Sequence, residues 1–176
     1  MKIKPPVKGS HIVLRMKPTV MVRGRCLDVI DEHNKLFDKA SLVGVGKYGI
    51  PWQRTRCSEF NNAINSGVTT YLFIVLKTAN GFKGFRAPIR MISLSGNLQD
   101  LALKYPEYYN EYRRVPMLYD AVLTVEPSMW FVISSRLEPH SLARLRLLSN
   151  NRRLLDVLSK PCRSSAMIVL EGKKPH

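Results

Sequence analysis

The chain has 176 residues, of which 45% are hydrophobic, and its formal net charge is +15. The apolar fraction is enough for a folded core, and no apolar run reaches the ~18 residues that a membrane-spanning helix needs, so general disorder and a membrane span are both excluded. The length suits one domain, and the excess of Lys and Arg predicts a polyanionic partner such as RNA, DNA or an anionic membrane surface.

The first part of the chain contains five predicted elements, judged from apolar spacing and from residues that interrupt or cap helices. In chain order they are a basic extended arm (1–10), a short strand (11–15), a helix (25–40), an irregular Gly-rich segment (41–51), and a second helix with Ser58 as its N-cap and Gly67 at its end. A helix–strand mixture already follows from this half of the sequence.

The strongest strand signal lies at 68–76 (VTTYLFIVL), a nearly continuous apolar run that predicts a central strand. Asn80-Gly81 predicts a hairpin turn, and 82–93 predicts the partner strand. Because Pro88 cannot donate a ladder hydrogen bond, it predicts an edge position or a bulge within that partner strand.

The second half begins with a tyrosine-rich segment that Pro106 divides. The predicted elements are a partly helical segment (97–113), a strand (129–135), a segment that could be either strand or helix (140–148), a helix (152–159), and a closing strand or helix (165–170). No internal repeat or linker is visible. The pattern therefore predicts one mixed domain over 11–170, either an α/β barrel or an α+β domain, with a tail at 171–176.

Positive charge is concentrated in three segments, 1–25, 60–99 and 136–176, which together hold the whole excess. Unbalanced Lys and Arg repel one another unless a partner relieves them. We therefore expect the fold to bring the three segments onto one basic surface; otherwise the charges are simply solvated.

Sequence signatures of common enzymes are missing, since the chain has no GxSxG, no Walker loop and no GxGxxG. The four histidines have no metal-ligand spacing, His33 is predicted to lie on the surface, and Cys57 is predicted to be a buried structural thiol. We expect no enzyme activity, catalytic residue, metal or cofactor. The start of the chain lacks a secretory signal pattern and the three cysteines are too few for a disulfide framework, which predicts an intracellular protein.

Trp52 is followed closely by Arg54 and Arg56, and an aromatic face beside guanidinium groups suits a stacked nucleobase with neutralised phosphates. The alternative is that Trp52 belongs to the core. Trp130, within an apolar strand, is predicted to be a core residue.

The order of motifs resembles a YTH domain, the reader of N6-methyladenosine in RNA. The motifs are HIVLR, KYGIPWQRT, FNNAI, TTYLFIVLKTANGFKGFRAPIRMIS and WFVISSRLEPHSLARLRLLSNN, which cover about 11–163. The resemblance, or one to the related PUA-like and EVE-like domains, implies an open mixed β-barrel packed by helices, with a base pocket beside a basic groove.

The resemblance also implies site residues. Trp52 would stack on the methylated base and Gln53 would contact it. Because the family's second cage tryptophan has no counterpart before Trp130, the candidates to complete the aromatic cage are Tyr112, Leu118 and Tyr119. The residues implied for the nucleic-acid backbone are Arg15, Lys17, Arg54, Lys77, Lys160 and Arg163, and Arg15, Lys77 and Lys160 are expected to converge around Trp52.

The leading hypothesis is a non-enzymatic reader of single-stranded RNA that accommodates N6-methyladenosine, with no membrane partner. Two alternatives stay open: a reader of modified bases in DNA within a restriction system, and a basic structural protein of a ribonucleoprotein. The sequence does not indicate an oligomeric state.

Overall fold

A computed structural model describes residues 9–94, 104–111, 114–116, 122–124, 127–160 and 166–172. Its strands are β1 (Ser10–Met16), β2 (Thr19–Val22), β3 (Arg25–Asp28), β4 (Val43–Lys47), β5 (Tyr71–Thr78), β6 (Gly81–Leu94), β7 (Arg114–Pro116), β8 (Val122–Thr124), β9 (Met129–Ile133), β10 (Glu138–Pro139), β11 (Leu145–Leu147) and β12 (Ala166–Glu171). Its helices are α1 (Val29–Asn34), a 3₁₀ turn (Lys35–Asp38), α2 (Arg54–Asn65), α3 (Tyr108–Glu111) and α4 (Leu154–Leu158).

One large sheet organises the fold. Its strand order is β11-β12-β1-β5-β6-β9-β4, with β10 added beside β6. β1 and β5 are parallel and the other pairs are antiparallel. This confirms a mixed α/β class, and among the described strands no pairing joins β4 to β11 at the two ends of the order.

The β5–β6 hairpin is confirmed, with Ala79 and Asn80 as its two-residue connection and Gly81 already paired opposite Thr78. β6 pairs with β5 through Pro88 and then with β9, and its register shifts between Ile89 and Met91. The irregularity that Pro88 predicted therefore lies immediately after it, where β6 changes partner.

Side chains that alternate along β1 and β5 build cores on both faces of the sheet, because successive residues of a strand point to opposite sides. Ile12 and Ile74 belong to a first core, which Phe60 of α2 completes. Val13 and Phe73 belong to a second core that is covered by α4 and β11. A third cluster joins the β2–β3 hairpin to α3 and Trp130.

The prediction of a helix over 25–40 is wrong at its start. β2 and β3 form a hairpin whose connection is Arg23-Gly24, both with positive φ (49° and 75°), the geometry of a tight two-residue turn. The helix begins only at Val29, since the Asp28 carboxylate accepts a hydrogen bond from the Asp31 N–H at 2.9 Å and caps it.

The prediction of an irregular segment over 41–51 is also wrong, because β4 is a fully buried strand within it. α2 starts at Arg54, four residues before the predicted cap at Ser58, whereas Gly67 follows its end with φ +93°. The ambiguous 140–148 segment forms β11, and the predicted elements at 152–159 and 165–170 correspond to α4 and β12.

Candidate functional site

A cavity of about 270 Å³ opens beside the C-terminal ends of β1 and β4. We call it the tyrosine cavity, after the three tyrosines in its wall, Tyr48, Tyr108 and Tyr109. Its volume is near the lower end of the ~300–1,000 Å³ typical of small-molecule sites. The remaining lining residues are Leu14, Arg15, Met16, Lys17, Val20, Val29, Gly46 and Lys47.

The aromatic wall is built around Tyr109. Its ring stacks on Tyr108 at a centroid distance of 4.5 Å, lies 6.1 Å from Tyr48, and meets Trp130 edge-on at 5.1 Å. The N–H of Gly46 donates to the Tyr109 hydroxyl oxygen at 3.0 Å, which ties α3 to β4. The wall is therefore fixed in place by packing and by a backbone hydrogen bond.

His33 packs against Tyr108 and Tyr109, and its protonation determines the direction of its hydrogen bond with Tyr109. His33 Nδ1 lies 2.7 Å from the Val29 carbonyl, which can only accept, so Nδ1 carries the proton. Burial lowers the pKa of His33 to about 4, so the ring is neutral at pH 7. Nε2 is then an acceptor, and the Tyr109 hydroxyl donates a hydrogen bond to it at 3.2 Å.

The prediction that His33 is a surface histidine is wrong, because the side chain is fully buried. The prediction for Cys57 is confirmed, since its thiol is buried in the first core and burial raises its pKa. Trp130 is a core residue, as predicted.

Stability should fall as the pH drops from 6.5 toward 4, because unfolded His33 takes up a proton near pH 6.5 and folded His33 only near pH 4. We expect His33 alone to lower the free energy of unfolding by about 2 kcal/mol between about pH 7 and pH 5. Burial also lowers the pKa of His11, which adds an effect of the same sign. Urea unfolding of the parent and of His33→Gln at the two pH values measures the His33 share.

His33→Gln should be less stable at pH 7 yet lose about 2 kcal/mol less on acidification. His140→Gln is the matched control for the removal of an imidazole, since its ring is partly exposed. Equal pH dependence in the parent and His33→Gln would show that His33 is not held neutral.

Three cations line the tyrosine cavity. Arg15 is half-buried and Lys17 is exposed, and both come from the end of β1. Lys47 is buried, and its ammonium group donates to the carbonyls of Tyr48 at 3.1 Å and Ile50 at 2.7 Å. Burial lowers the pKa of Lys47, and the two carbonyls compensate part of the cost of burying its charge.

Trp52, the predicted base-stacking residue, is half-buried against the first core. Its ring stacks near Phe60 at 5.8 Å, meets Phe131 edge-on at 5.8 Å, and has the Arg56 guanidinium 5.5 Å from its centroid. Gln53 is exposed at the N-cap of α2 and Arg54 is its exposed first residue. Trp52 does not line the tyrosine cavity.

The residues predicted to bind the nucleic-acid backbone lie in different parts of the fold. Met16 and Leu76 are register partners, so Lys17 and Lys77 follow at the same end of the parallel β1–β5 pair. Lys160 follows α4, which packs in the second core, while Trp52 packs in the first. Arg15 and Lys17 thus line the same cavity. Lys160 and Trp52 are associated with opposite faces of the sheet. The remaining predicted site residues, Tyr112, Leu118, Tyr119 and Arg163, lie outside the described part of the chain.

A second cavity of about 220 Å³ shares Tyr108 with the tyrosine cavity and is lined by residues of the β2–β3 hairpin. Its charged lining is mixed, with Arg23, Arg25 and Lys35 against Glu32 and Glu107, and Lys35 is ion-paired with Glu32. This mixture of signs makes it a weaker anion site than the tyrosine cavity, whose charged lining residues are all basic.

Sequence reasoning missed Tyr48, Tyr108, Tyr109 and Lys47 as site residues. The signal for Tyr48 lies in the alternation of 43–47 (VGVGK), which marks a strand that is followed directly by the tyrosine. Tyr108 and Tyr109 belong to the tyrosine-rich segment of the sequence, but the contacts of Tyr109 with Gly46 and His33 join residues that are far apart in the chain.

The chain matches no protein-family model, and searches of curated proteins and of solved structures return no match. The likeness to YTH domains therefore rests on the order of the motifs and stays a prediction. In the described part of the chain no helix has the length and apolar character to cross a membrane, and no three His, Cys, Asp or Glu side chains are grouped to hold a metal.

Proposed function

We propose that this chain binds single-stranded nucleic acid, RNA in the first instance, and holds one unpaired base in the tyrosine cavity. The observation that carries the proposal is the composition of that cavity: three tyrosine rings and four aliphatic side chains form its walls, and each charged residue in its lining is a cation. The YTH-like order of motifs agrees with this function, and the open barrel that it implies is part of the proposal.

Aromatic walls favour a base because an unpaired base offers two π-faces, and each base–aromatic stack contributes ~1–3 kcal/mol. Tyr48 and Tyr109 are tilted by only 31° to each other, and Tyr108 and Tyr109 by 30°. The three rings pack on one another, with centroid distances of 4.5 and 6.1 Å, and form one aromatic wall against which we place the flat base. We favour the tyrosine cavity over Trp52 as the base site, because the cavity combines aromatic rings with three cations and Trp52 does not line it.

The cations at the rim suit the phosphates that flank the bound base. Arg15 and Lys17 lie at the cavity, and exposed Lys77 lies at the same end of the neighbouring strand. Phosphate contacts of this kind supply affinity through counterion release and do not read sequence. The walls of the cavity would therefore determine which base is preferred.

N6-methyladenosine is the base that we propose for the cavity. Its methyl group would be buried among Leu14, Met16, Val20 and Val29, and one buried CH₂-sized group contributes ~0.8 kcal/mol. That energy corresponds to about a fourfold difference in affinity between methylated and unmethylated RNA.

Fluorescence anisotropy tests the function with a short single-stranded oligoribonucleotide that carries one central adenosine or N6-methyladenosine. We expect saturable binding of both, about fourfold tighter for the methylated strand, at a stated and constant salt concentration. Equal affinity of the two strands would contradict methyl selection, and no saturable binding of either would contradict the function.

A deoxyribonucleotide of the same sequence separates RNA from DNA. Tighter binding of the methylated deoxyribonucleotide would favour the modified-base DNA reader. Copurification of the chain with an intact ribonucleoprotein particle, without saturable oligonucleotide binding, would favour the structural protein.

A further inference from the structure

Three arginines lie together where β11 turns back into α4. Arg146 and Arg153 face each other across an isolated antiparallel β-bridge, and Arg152 is the neighbour of Arg153. The turn between them is held by backbone hydrogen bonds from Leu147 N–H to the Arg152 carbonyl and from Asn151 N–H to the Leu147 carbonyl, both at 2.9 Å. The backbone therefore fixes how close these three residues lie.

This turn carries more positive than negative charge. Asp156 accepts two hydrogen bonds from the Arg153 guanidinium, at 2.9 and 3.0 Å. Arg153, and then Arg152 and Arg146, hold the pKa of that carboxyl below its usual range, so all three guanidiniums act on one carboxylate. Like charges placed directly opposite each other on paired strands are destabilising, and an anionic partner would relieve their repulsion.

The three side chains are accessible to a large ligand. Arg146, Arg152 and Arg153 are all exposed, and β11 is the last strand of the large sheet. The Arg146 guanidinium also donates to the Asn151 carbonyl at 2.9 Å, which orients it on the turn. A planar guanidinium with several donors suits the bidentate recognition of phosphate oxygens.

We propose that Arg146, Arg152 and Arg153, here called the arginine patch, form a second phosphodiester-binding surface that is distinct from the tyrosine cavity. The proposal rests on the proposed function in that its ligand is the backbone of the same nucleic acid. β11 and α4 pack on the second core through Leu145 and Leu154, whereas Leu14 of the cavity belongs to the first. A strand held in the cavity must therefore be long enough to pass an edge of the sheet before it reaches the patch.

Salt-dependent binding of two single-stranded oligoribonucleotides, of about 4 and about 16 nucleotides, tests the patch. The variant is the double substitution Arg146→Gln/Arg152→Gln, and the control is Lys39→Gln/Arg90→Gln, which removes the same charge from exposed positions elsewhere. Loss of two phosphate contacts should reduce the slope of log K against log salt by roughly 1.4 for the long strand. The patch variant should bind the short strand as the parent does, and the control variant should keep the parent's slope for both strands.

An unchanged slope for the long strand, or an equal loss of affinity for both strands, would overturn the arginine patch while leaving the cavity in place. Failure of the parent to bind the short strand, together with the expected slope change for the long one, would overturn the base cavity and support the patch. If the parent binds neither strand, both proposals are wrong. Circular dichroism melting of both double variants shows whether they fold as the parent does.

Discussion

Gly84→Ala should lower the free energy of unfolding by about 3 kcal/mol, which for a chain of this length corresponds to a fall of roughly 6–12 °C in the melting temperature. Gly84 lies in β6 opposite Val75, and its carbonyl accepts a hydrogen bond from the His140 N–H at 2.9 Å. A Cβ atom at this position would lie 2.4 Å from the His140 carbonyl oxygen and 2.6 Å from Leu142 Cδ2.

The large effect follows from what surrounds Gly84. The atom nearest to the added Cβ is the backbone oxygen of His140, in the segment that crosses β6. A backbone atom cannot turn away from the added methyl group as a flexible side chain could. That segment is itself fixed, because Pro139 is paired with Phe85 in the β10–β6 ladder. Relief of the clash therefore requires β10 to separate from β6.

Gly172→Ala is the matched control, since its added Cβ would lie 3.2 Å from the Arg144 carbonyl oxygen and needs only a small adjustment. Thermal and urea unfolding of the parent and both variants give the comparison. A stability of Gly84→Ala equal to that of Gly172→Ala would contradict the close crossing of β6 by the 138–142 segment.

Gly46→Ala should weaken RNA binding at least about tenfold, as expected if one base–aromatic stack is lost. A Cβ atom there would lie 2.8 Å from Pro127 Cγ and 2.9 Å from Tyr109 Cε1. The proline ring is rigid, so the Tyr109 ring would have to move and would break the Gly46–Tyr109 hydrogen bond. The cavity wall would then shift into the space proposed for the base.

Stability should also fall, by about 2 kcal/mol, because overpacking of a buried site is destabilising and the hydrogen bond is lost. Binding must therefore be measured below the melting transition of the variant. Gly172→Ala serves again as control and should bind RNA as the parent does. Parental affinity in a folded Gly46→Ala variant would contradict the placement of the base against Tyr109.

Local patterns predicted the parts of the fold that depend on neighbouring residues. The apolar run at 68–76 and the turn at Asn80 describe contacts within one hairpin, and the irregularity after Pro88 follows from a residue that cannot donate a ladder hydrogen bond; the structure confirms all three. The predictions failed where tertiary contacts override local composition. The two glycines of β4 suggested a loop, yet at Gly46 a glycine is needed so that Tyr109 and Pro127 can approach the strand.

The candidate site was harder to predict than the fold. A tryptophan next to arginines is found both in base-stacking sites and in protein cores, so the local sequence at Trp52 does not distinguish the two. Its contacts with Phe60 and Phe131 depend on how α2 and β9 pack. The sequence predicts His33 to be an ordinary surface histidine, because no His or Cys follows it at i+3 or i+4 in the predicted helix. The side chain of His33 is buried because it packs against Tyr109, which lies 76 residues later in the chain.

NMR of the chain labelled with ¹³C at the methionine methyl groups tests most directly whether a base enters the tyrosine cavity. Met16 lines that cavity. The sulfur of Met129 instead accepts a hydrogen bond from the backbone N–H of Trp52 at 3.5 Å, so its methyl group reports on the alternative site beside Trp52. On addition of the methylated oligoribonucleotide, we expect a ring-current shift of the Met16 methyl resonance and an unchanged Met129 resonance. A shift of Met129 with Met16 unchanged would place the base beside Trp52 and contradict the account.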